Sequence, residues 1–389
     1  MAGFSSQDNI IQALSNGQSF RYDWNKSMNP TTAAIAGEFH MTARGNGNPG
    51  PDALFDSGAN LTFIGVEDDT TNASSIPHGG DVQPTYYKSL ANLSAFTAAA
   101  TTAPCVGVLI DLIGYYRVTT VTTTTAQNTT NTLAYADTFT ADASTDICTY
   151  TSTTNIPSNV LTGTRLRLTT TTTLPGGLAT ATDYYYIKVT DSTFKLATSY
   201  ANALAGTAIN ITDAGTGTHS TSRLLPRYTN GAGVQAIFFN PAATALGAAT
   251  PNLTLGYTNS AQTGSRATPG VAPIGKTAAS NSLILYTGTG SGKYNYQHPL
   301  QAGDAGIAQI DSIRNSTSYV SGSYTVALIK ELARVPITTL GVAAERDLVN
   351  QLPSLPRIYD GAALYWIVGS STTTPANANF SGHITTVWN

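Results

Sequence analysis

A glycine-rich run in the second half of the chain is the first stretch whose residue types could do chemistry. The residues from Thr287 to Lys293 alternate glycine with small hydroxyl side chains and end in lysine, which resembles a phosphate-binding loop. Such a loop needs four residues between its first glycine and the Gly-Lys pair, then Ser or Thr, then a helix. Here the spacing is one residue short, and Tyr294 stands in the hydroxyl position. We therefore predict a hairpin loop at this place.

The acidic run Glu67-Asp68-Asp69 is a second candidate, because loops rich in carboxylates bind Ca²⁺. The Asp-x-Asp-x-Asp-Gly spacing of a calcium-binding loop is missing. We predict a solvated turn. The two cysteines are too far apart to form a metal pattern or a disulfide framework. We expect both to be unpaired, with one of them buried: Cys105 and Cys148.

The histidines give no catalytic or zinc pattern. No two of them stand four residues apart, and neither His-Glu-x-x-His nor Gly-x-Ser-x-Gly occurs. A glycoside hydrolase needs only two carboxylates, but 22 acidic residues in 389 leave few candidates. We predict that the protein is not an enzyme, with no catalytic, cofactor-binding or metal-ligating residue and no cofactor. The histidines are scattered: His40, His78, His219, His298 and His383.

Charge excludes several classes of partner. Only 11% of residues are charged, against roughly a quarter in soluble globular proteins, and the formal net charge is −3. Such a chain has no strong field to attract nucleic acid or anionic lipid. No apolar run approaches the ~20 residues of a membrane span, and Met1–Asn16 lacks the apolar core of a signal peptide. We expect synthesis in the cytoplasm and a weakly charged surface that is largely covered by partners.

Frequent Thr, Val, Ile, Tyr and Phe favour strands, so the predicted class is mainly β with few short helices. The most apolar run, Cys105–Tyr116, predicts a strand buried on both faces. We predict a helix over Ser6–Leu14, capped by Ser6, and another over Ala343–Leu352, stopped by Pro353. The glycine- and proline-rich run Arg44–Pro51 predicts a loop.

A change in composition predicts an inserted domain. Residues 119–222 are dominated by Thr, Ala, Asn, Ser and Asp, and carry short strand patterns separated by turns. We predict a jelly-roll-like or sandwich host domain, formed by residues 37–118 and 223–389. A small β-sandwich or β-barrel, residues 119–222, interrupts it and is displayed on the surface. Residues 1–36 are predicted to form an N-terminal arm. A simple surface loop is the favoured interpretation, and contact with a neighbouring subunit is the alternative.

Three adjacent tyrosines in the inserted domain are a candidate sugar-binding surface, because aromatic rings stack on sugars. Tyr184–Tyr186 lies within a predicted strand, however, and side chains alternate between the two faces of a strand. Two of the three rings are therefore expected to pack on one side and one on the other. Ordinary packing is the favoured interpretation.

Parts of the inserted segment resemble a small β module that recurs in virion proteins of tailed bacteriophages. The residues that carry this resemblance are Leu174–Leu178, Asp183–Val189, Thr193–Ser199 and Ala203–His219. The flanking body is similar to a family of phage virion structural proteins. It lacks the long spine helix and charged early region of the usual major capsid protein. The residues that carry this second resemblance are Leu109–Leu112, Leu224–Tyr228, Leu300–Gly306 and Ala343–Gly361.

These resemblances imply an accessory structural protein of the virion. The favoured role is a head decoration or cement protein, with the major capsid protein and further copies of itself, a trimer being favoured, as partners. A tail or baseplate component is the first alternative. A surface adhesion protein that binds host-surface glycan through the inserted domain is the second. None of these roles involves nucleic acid or a membrane, and all place the protein in the virion.

Overall fold

A computed structural model of the protein confirms the mainly-β class, with 47% of residues in strands and 7% in helices. Sandwich-like layers and a closed barrel are both present. The structure describes residues 4–389 except for the following: 28–37, 51–54, 56–57, 69–73, 80–81, 83–86, 98–103, 152–159, 241–245, 248, 272, 275–281, 288–293, 352–354 and 371–377.

The first seven strands and one helix precede the barrel. They are α1 (Gln7–Ser15), β1 (Ser19–Ser27), β2 (Phe39–Met41), β3 (Gly47–Asn48), β4 (Phe63–Gly65), β5 (Lys88–Thr97), β6 (Cys105–Val118) and β7 (Gln127–Asn128). The next six strands and a short helix form the barrel. They are β8 (Tyr135–Asp142), β9 (Ile147–Tyr150), β10 (Arg165–Thr170), β11 (Tyr184–Lys188), β12 (Thr193–Ala197), α2 (Tyr200–Leu204) and β13 (His219–Arg223).

The chain then returns to the host body. Its remaining elements are β14 (Gln235–Asn240), β15 (Leu253–Asn259), β16 (Arg266–Ala267), β17 (Pro273–Ile274), β18 (Ser282–Thr287), β19 (Tyr294–Asn295), β20 (Ile307–Asn315), β21 (Tyr324–Ile337), β22 (Ala344–Asp347), α3 (Leu348–Gln351), β23 (Leu364–Ser370) and β24 (Asn379–Trp388).

A large sheet built around β6 and β21 is the centre of the host body. Its strand order is β14-β21-β6-β23-β2-β18-β17, and β14 also pairs with β18, so six of these strands close a ring. Most side chains of β6 are buried on both faces, as its predominantly apolar sequence predicts. Val108, Ile110 and Leu112 belong to the core inside the ring.

Two smaller sheets cover the outside of the ring. The five-stranded sheet β22-β5-β24-β1-β3 packs over one end of β6, where the rings of Trp24 and Trp366 lie 5.0 Å apart. The four-stranded sheet β16-β15-β20-β7 covers the other end, against Ile113 and Tyr116. The host body is therefore a layered β structure whose three largest apolar cores among the described residues all contain residues of β6.

The inserted barrel closes on itself in the order β10-β11-β12-β9-β8-β13 and has its own apolar core, in which Tyr186 and Phe194 are fully buried. It begins at Tyr135 rather than at residue 119. Before this point Gln127–Asn128 pairs with β20, and Val121 lies in a host core. The Thr-rich composition begins earlier than the barrel, because the connecting segment uses the same residue types while it packs on the host.

The prediction of an N-terminal arm over residues 1–36 is wrong for the residues that the structure describes. Helix α1 begins after the predicted cap Ser6, whose hydroxyl accepts a hydrogen bond from the Asn9 N–H at 3.3 Å. The helix packs on the five-stranded sheet through Ile10 and Ala13. Strand β1 then lies inside that sheet, between β24 and β3. The segment is polar because one face of β1 is exposed to solvent.

The predicted helix over Ala343–Leu352 is also wrong. Ala344–Asp347 forms an edge strand that pairs with β5, and only Leu348–Gln351 is helical. Local residues favour a helix, but pairing with β5 supplies the backbone with partners, and tertiary context overrides such weak preferences. The loop predicted over Arg44–Pro51 contains the two-residue strand β3, which pairs with β1.

One buried ion pair joins the chain segments on either side of the barrel. Asp111, on β6, and Arg227, which follows the barrel, both have fully buried side chains. The guanidinium donates to both carboxylate oxygens, at 2.9 and 2.6 Å, and to the carbonyls of Val66 and Leu112. The Ala363 N–H donates to the same carboxylate. A desolvated pair is tolerable only with such complete hydrogen bonding.

Replacing Arg227 by Met should destabilise the protein by about 3–5 kcal/mol, because Asp111 keeps a buried charge without its partner. Chemical denaturation measures this loss. The control is Arg21→Ala, which breaks an exposed pair with Asp23 and should cost less than about 1 kcal/mol. A double variant, Asp111→Asn with Arg227→Met, should recover a large part of the loss. Equal losses in all three variants would contradict the account.

Replacing residues 135–223 by a short Gly-Ser linker should leave the host body folded. Tyr135 and Arg223 face each other across two paired strands, so their Cα atoms are about 5 Å apart and a short linker joins them. The host cores contain no barrel strand. Thermal unfolding followed by circular dichroism should remain cooperative, with a midpoint within about 5 °C of the parent protein. Loss of the cooperative transition would show that the host depends on the barrel.

Candidate functional site

The secondary structure on either side of the glycine-rich run differs from that of a phosphate-binding loop. Thr287 ends β18, Tyr294 begins β19, and the two strands pair antiparallel with Thr287 opposite Tyr294. Residues 288–293 lie outside the described residues. A phosphate-binding loop leads into a helix, whereas a strand follows here. The flanking strands are those of the predicted hairpin.

Asp68 of the acidic run is half-buried and takes part in a polar contact instead of a solvated turn. The Asp68 carboxylate accepts a hydrogen bond from the Ser75 hydroxyl and lies 3.4 Å from His78 Nε2. That nitrogen is also 3.0 Å from the carbonyl of Ala362. The Ser75 hydroxyl bonds the carboxylate rather than the imidazole, so Ser75 is not paired with His78 as a nucleophile with its base. Asp69 lies outside the described residues.

Burial keeps two histidines neutral. Burial, and after it the charge of Lys88, lowers the pKa of His78 from 6.5 to about 3. Burial also lowers the pKa of His298 to about 3. The Thr268 hydroxyl accepts a hydrogen bond from the Leu255 N–H and lies 2.7 Å from His298 Nε2, within hydrogen-bonding distance. Both imidazoles are parts of host cores rather than groups open to a substrate.

The other three histidines lie in separate places. His40 is buried 3.5 Å from Glu38. His219 lies in the barrel, where Nδ1 is 2.9 Å from the Thr170 hydroxyl. His383 lies on the outer face of the five-stranded sheet. Among the described residues no three His, Cys, Asp or Glu side chains come together as metal ligands.

His383 belongs to a chain of hydrogen bonds whose direction the structure fixes. Asn92 donates to Glu345, so its oxygen is the acceptor for His383 Nε2 at 2.7 Å. Nδ1 is then the acceptor for the Ser94 hydroxyl, also at 2.7 Å. Burial, and after it the charge of Arg21, lowers the pKa of His383. The network ties β22, β5 and β24 together.

The tyrosine cluster follows the predicted alternation. Tyr184 and Tyr186 are buried in the barrel core, and Tyr186 stacks on Phe194 with ring centroids 5.0 Å apart. Tyr185 faces outward and meets Tyr200 of α2 edge to face. Two of the three rings are therefore unable to stack on a sugar. The cysteines, Cys105 and Cys148, are both free and buried, and burial raises the pKa of each thiol to about 12.

Sequence reasoning missed an open groove beside α1. Carboxamide side chains from the helix and from the ends of β1 and β24 line it: Asn9, Gln12, Asn16, Gln18 and Asn389. The only signal in the sequence was the run of amides around the predicted helix. The same helix exposes Ile11 and Leu14.

Neither a scan of protein-family models nor a search of curated proteins gives a match to this chain. None of the described helices has the length and hydropathy to cross a membrane. The candidate residues of the sequence lie in separate places, and the groove beside α1 is one feature of the described residues that could accept a partner.

Stability should fall as the pH drops from about 6.5 towards 3, because the unfolded chain binds protons that folded His78 and His298 do not. Each histidine contributes a slope of about 1.4 kcal/mol per pH unit. The free energy of unfolding, measured between pH 7 and 5, should show both contributions. His298→Gln should reduce the slope by about half, and His78→Gln by a similar amount. An unchanged slope in both variants would contradict these buried neutral states.

Proposed function

We propose that this protein is a non-enzymatic structural component of a tailed-phage virion, a decoration or cement protein that binds the outer capsid lattice. One observation carries the proposal. The residues that resemble a recurring virion module, Leu174–His219, lie inside the closed barrel of residues 135–223. A segment can recur in unrelated host proteins only if it completes its own core. This barrel does so with residues from five of its six strands.

The way the barrel is joined to the host supports a displayed module. Both ends of the insertion lie on neighbouring strands, Tyr135 opposite Arg223. A few polar contacts then hold it against the host. Thr229 accepts a hydrogen bond from the Leu161 N–H at 3.1 Å, and Arg165 donates to Gln309. These contacts fix the direction in which the barrel projects, so a lattice of copies would present barrels in one orientation.

The surface chemistry supports burial of the host body in an assembly. With few charges, the protein can cover a large lattice contact without desolvating unpaired ions. A shell under internal pressure gains from each bridged contact, at roughly 25 cal/mol per Å² of apolar area before association costs. The proposed partner is therefore the major capsid protein.

Two alternatives differ in what they predict. A tail or baseplate component would form rings or rods on its own. An adhesion protein would bind host-surface glycan through the barrel, but the burial of Tyr184 and Tyr186 leaves one ring of that cluster outside. The cement role is the one that predicts a gain in head stability.

An add-back experiment tests the role. Virions that lack the protein should release DNA at lower temperature than complete virions, and purified protein should restore the resistance by binding expanded heads. The variant without residues 135–223 should restore it equally, because the host body makes the contact in this proposal.

Normal heads on particles that have lost their tails would contradict the cement role and favour the tail alternative. Normal heads and tails with lost adsorption to cells would favour the adhesion role.

A further inference from the structure

The chain contains three Asn-Gly sequences, whose glycine N–H groups differ in what they bond. They are Asn16-Gly17, Asn46-Gly47 and Asn230-Gly231. An asparagine followed by glycine loses its amide most readily, because glycine has no Cβ to hinder ring closure through its backbone nitrogen. That nitrogen must be free to approach the asparagine side chain. A hydrogen bond from the glycine N–H therefore slows the reaction.

Two of the three glycine nitrogens are held within turns. Gly17 donates its N–H to the Leu14 carbonyl at 3.1 Å, at the end of α1. Gly231 donates its N–H to the Tyr228 carbonyl at 2.6 Å. Rotation of either peptide group towards the preceding asparagine side chain would break that hydrogen bond. Both sequences are therefore protected in the folded protein.

The third glycine, Gly47, lies on β3, an edge strand of the five-stranded sheet. The Ser27 N–H donates to the Asn46 carbonyl, so Ser27 and Asn46 form a hydrogen-bonded pair. Bonded and non-bonded pairs alternate along antiparallel strands, so Lys26 and Gly47 form a non-bonded pair. The Gly47 N–H thus points away from β1 towards the open edge, where no described residue accepts it.

The side chain that would react is equally accessible. Asn46 is exposed, and its carboxamide has no hydrogen-bond partner among the described residues. Packing also requires a glycine at position 47, because a Cβ there would lie 1.9 Å from the Asn25 carbonyl oxygen. The close approach of β1 and β3 therefore keeps a glycine after Asn46, and with it the reactive sequence.

We propose that Asn46 is a site of spontaneous modification, at which the carboxamide becomes a carboxylate in the folded protein. The Gly47 nitrogen attacks Cγ of Asn46, a C–N bond forms, and the amide leaves as ammonia with the proton of the Gly47 N–H. Water then opens the cyclic imide at either carbonyl, which leaves aspartate or isoaspartate. The formal net charge falls by one, from −3 to −4. The inference does not depend on the proposed function.

Incubation of the folded protein at mildly alkaline pH tests the proposal, because base removes the proton from the glycine amide. Peptide mass spectrometry should show conversion of Asn46 at least about fivefold faster than that of Asn16 or Asn230, the ratio that one ordinary hydrogen bond gives. In concentrated urea, where turns and strands are lost, the three rates should become similar. A folded-state rate at Asn46 no higher than the other two would overturn the proposal. A preference for Asn46 that persists unchanged in urea would do the same, since the sheet edge would not be its cause.

Two variants and one further measurement complete the test. Asn46→Gln should remove the first acidic form that appears on ion-exchange chromatography, because glutamine must close a larger ring. Asn16→Gln, the matched control, should leave that form unchanged. The amide proton of Gly47 should exchange with solvent faster than those of Gly17 and Gly231. Slow exchange at Gly47, or an acidic form that survives in Asn46→Gln, would contradict the assignment.

Discussion

The Asp111–Arg227 pair is the constraint on which the rest of the host depends. Both charges are removed from water, so each hydrogen-bonding position of the pair must be filled by the surrounding chain. The carbonyls of Val66 and Leu112 and the N–H of Ala363 fill them. The segments that contain Val66, Arg227 and Ala363 are thereby held in fixed positions against β6. The pair also constrains the barrel insertion, because the segment after the barrel must place Arg227 against Asp111 on β6.

The same constraint applies to other buried polar groups of the host. His78 and His298 are buried, neutral and bonded to neighbouring groups. Asp68 is bonded to Ser75 and close to His78. These contacts connect loops to the ring. By contrast, among the described residues the carboxamides of Gln12, Asn16 and Gln18 have no hydrogen-bond partner, and they line the groove beside α1. These carboxamides lie at the surface, where another molecule can form hydrogen bonds with them.

Local signals predicted much of the fold, and long-range pairing decided the rest. The buried strand β6, the Ser6 cap and the alternation in Tyr184–Tyr186 follow from short patterns. The strand at Ala344–Asp347 does not, since its partner β5 is far away in the sequence. Asp111 and Arg227 are 116 residues apart, and no spacing rule connects them. The groove combines residues of α1 with residues that flank β1 and β24. These segments are far apart in the sequence, so the sequence alone does not predict the groove.

The central claim is that the host body contacts a capsid while the barrel points away from it. An electron-microscopy reconstruction of a virion that contains this chain tests it most directly. The account predicts copies on the outer surface of the head, with the layered host body against the shell and the density of residues 135–223 projecting outward. Copies confined to the tail, or a barrel wedged against the shell beneath the host body, would contradict it.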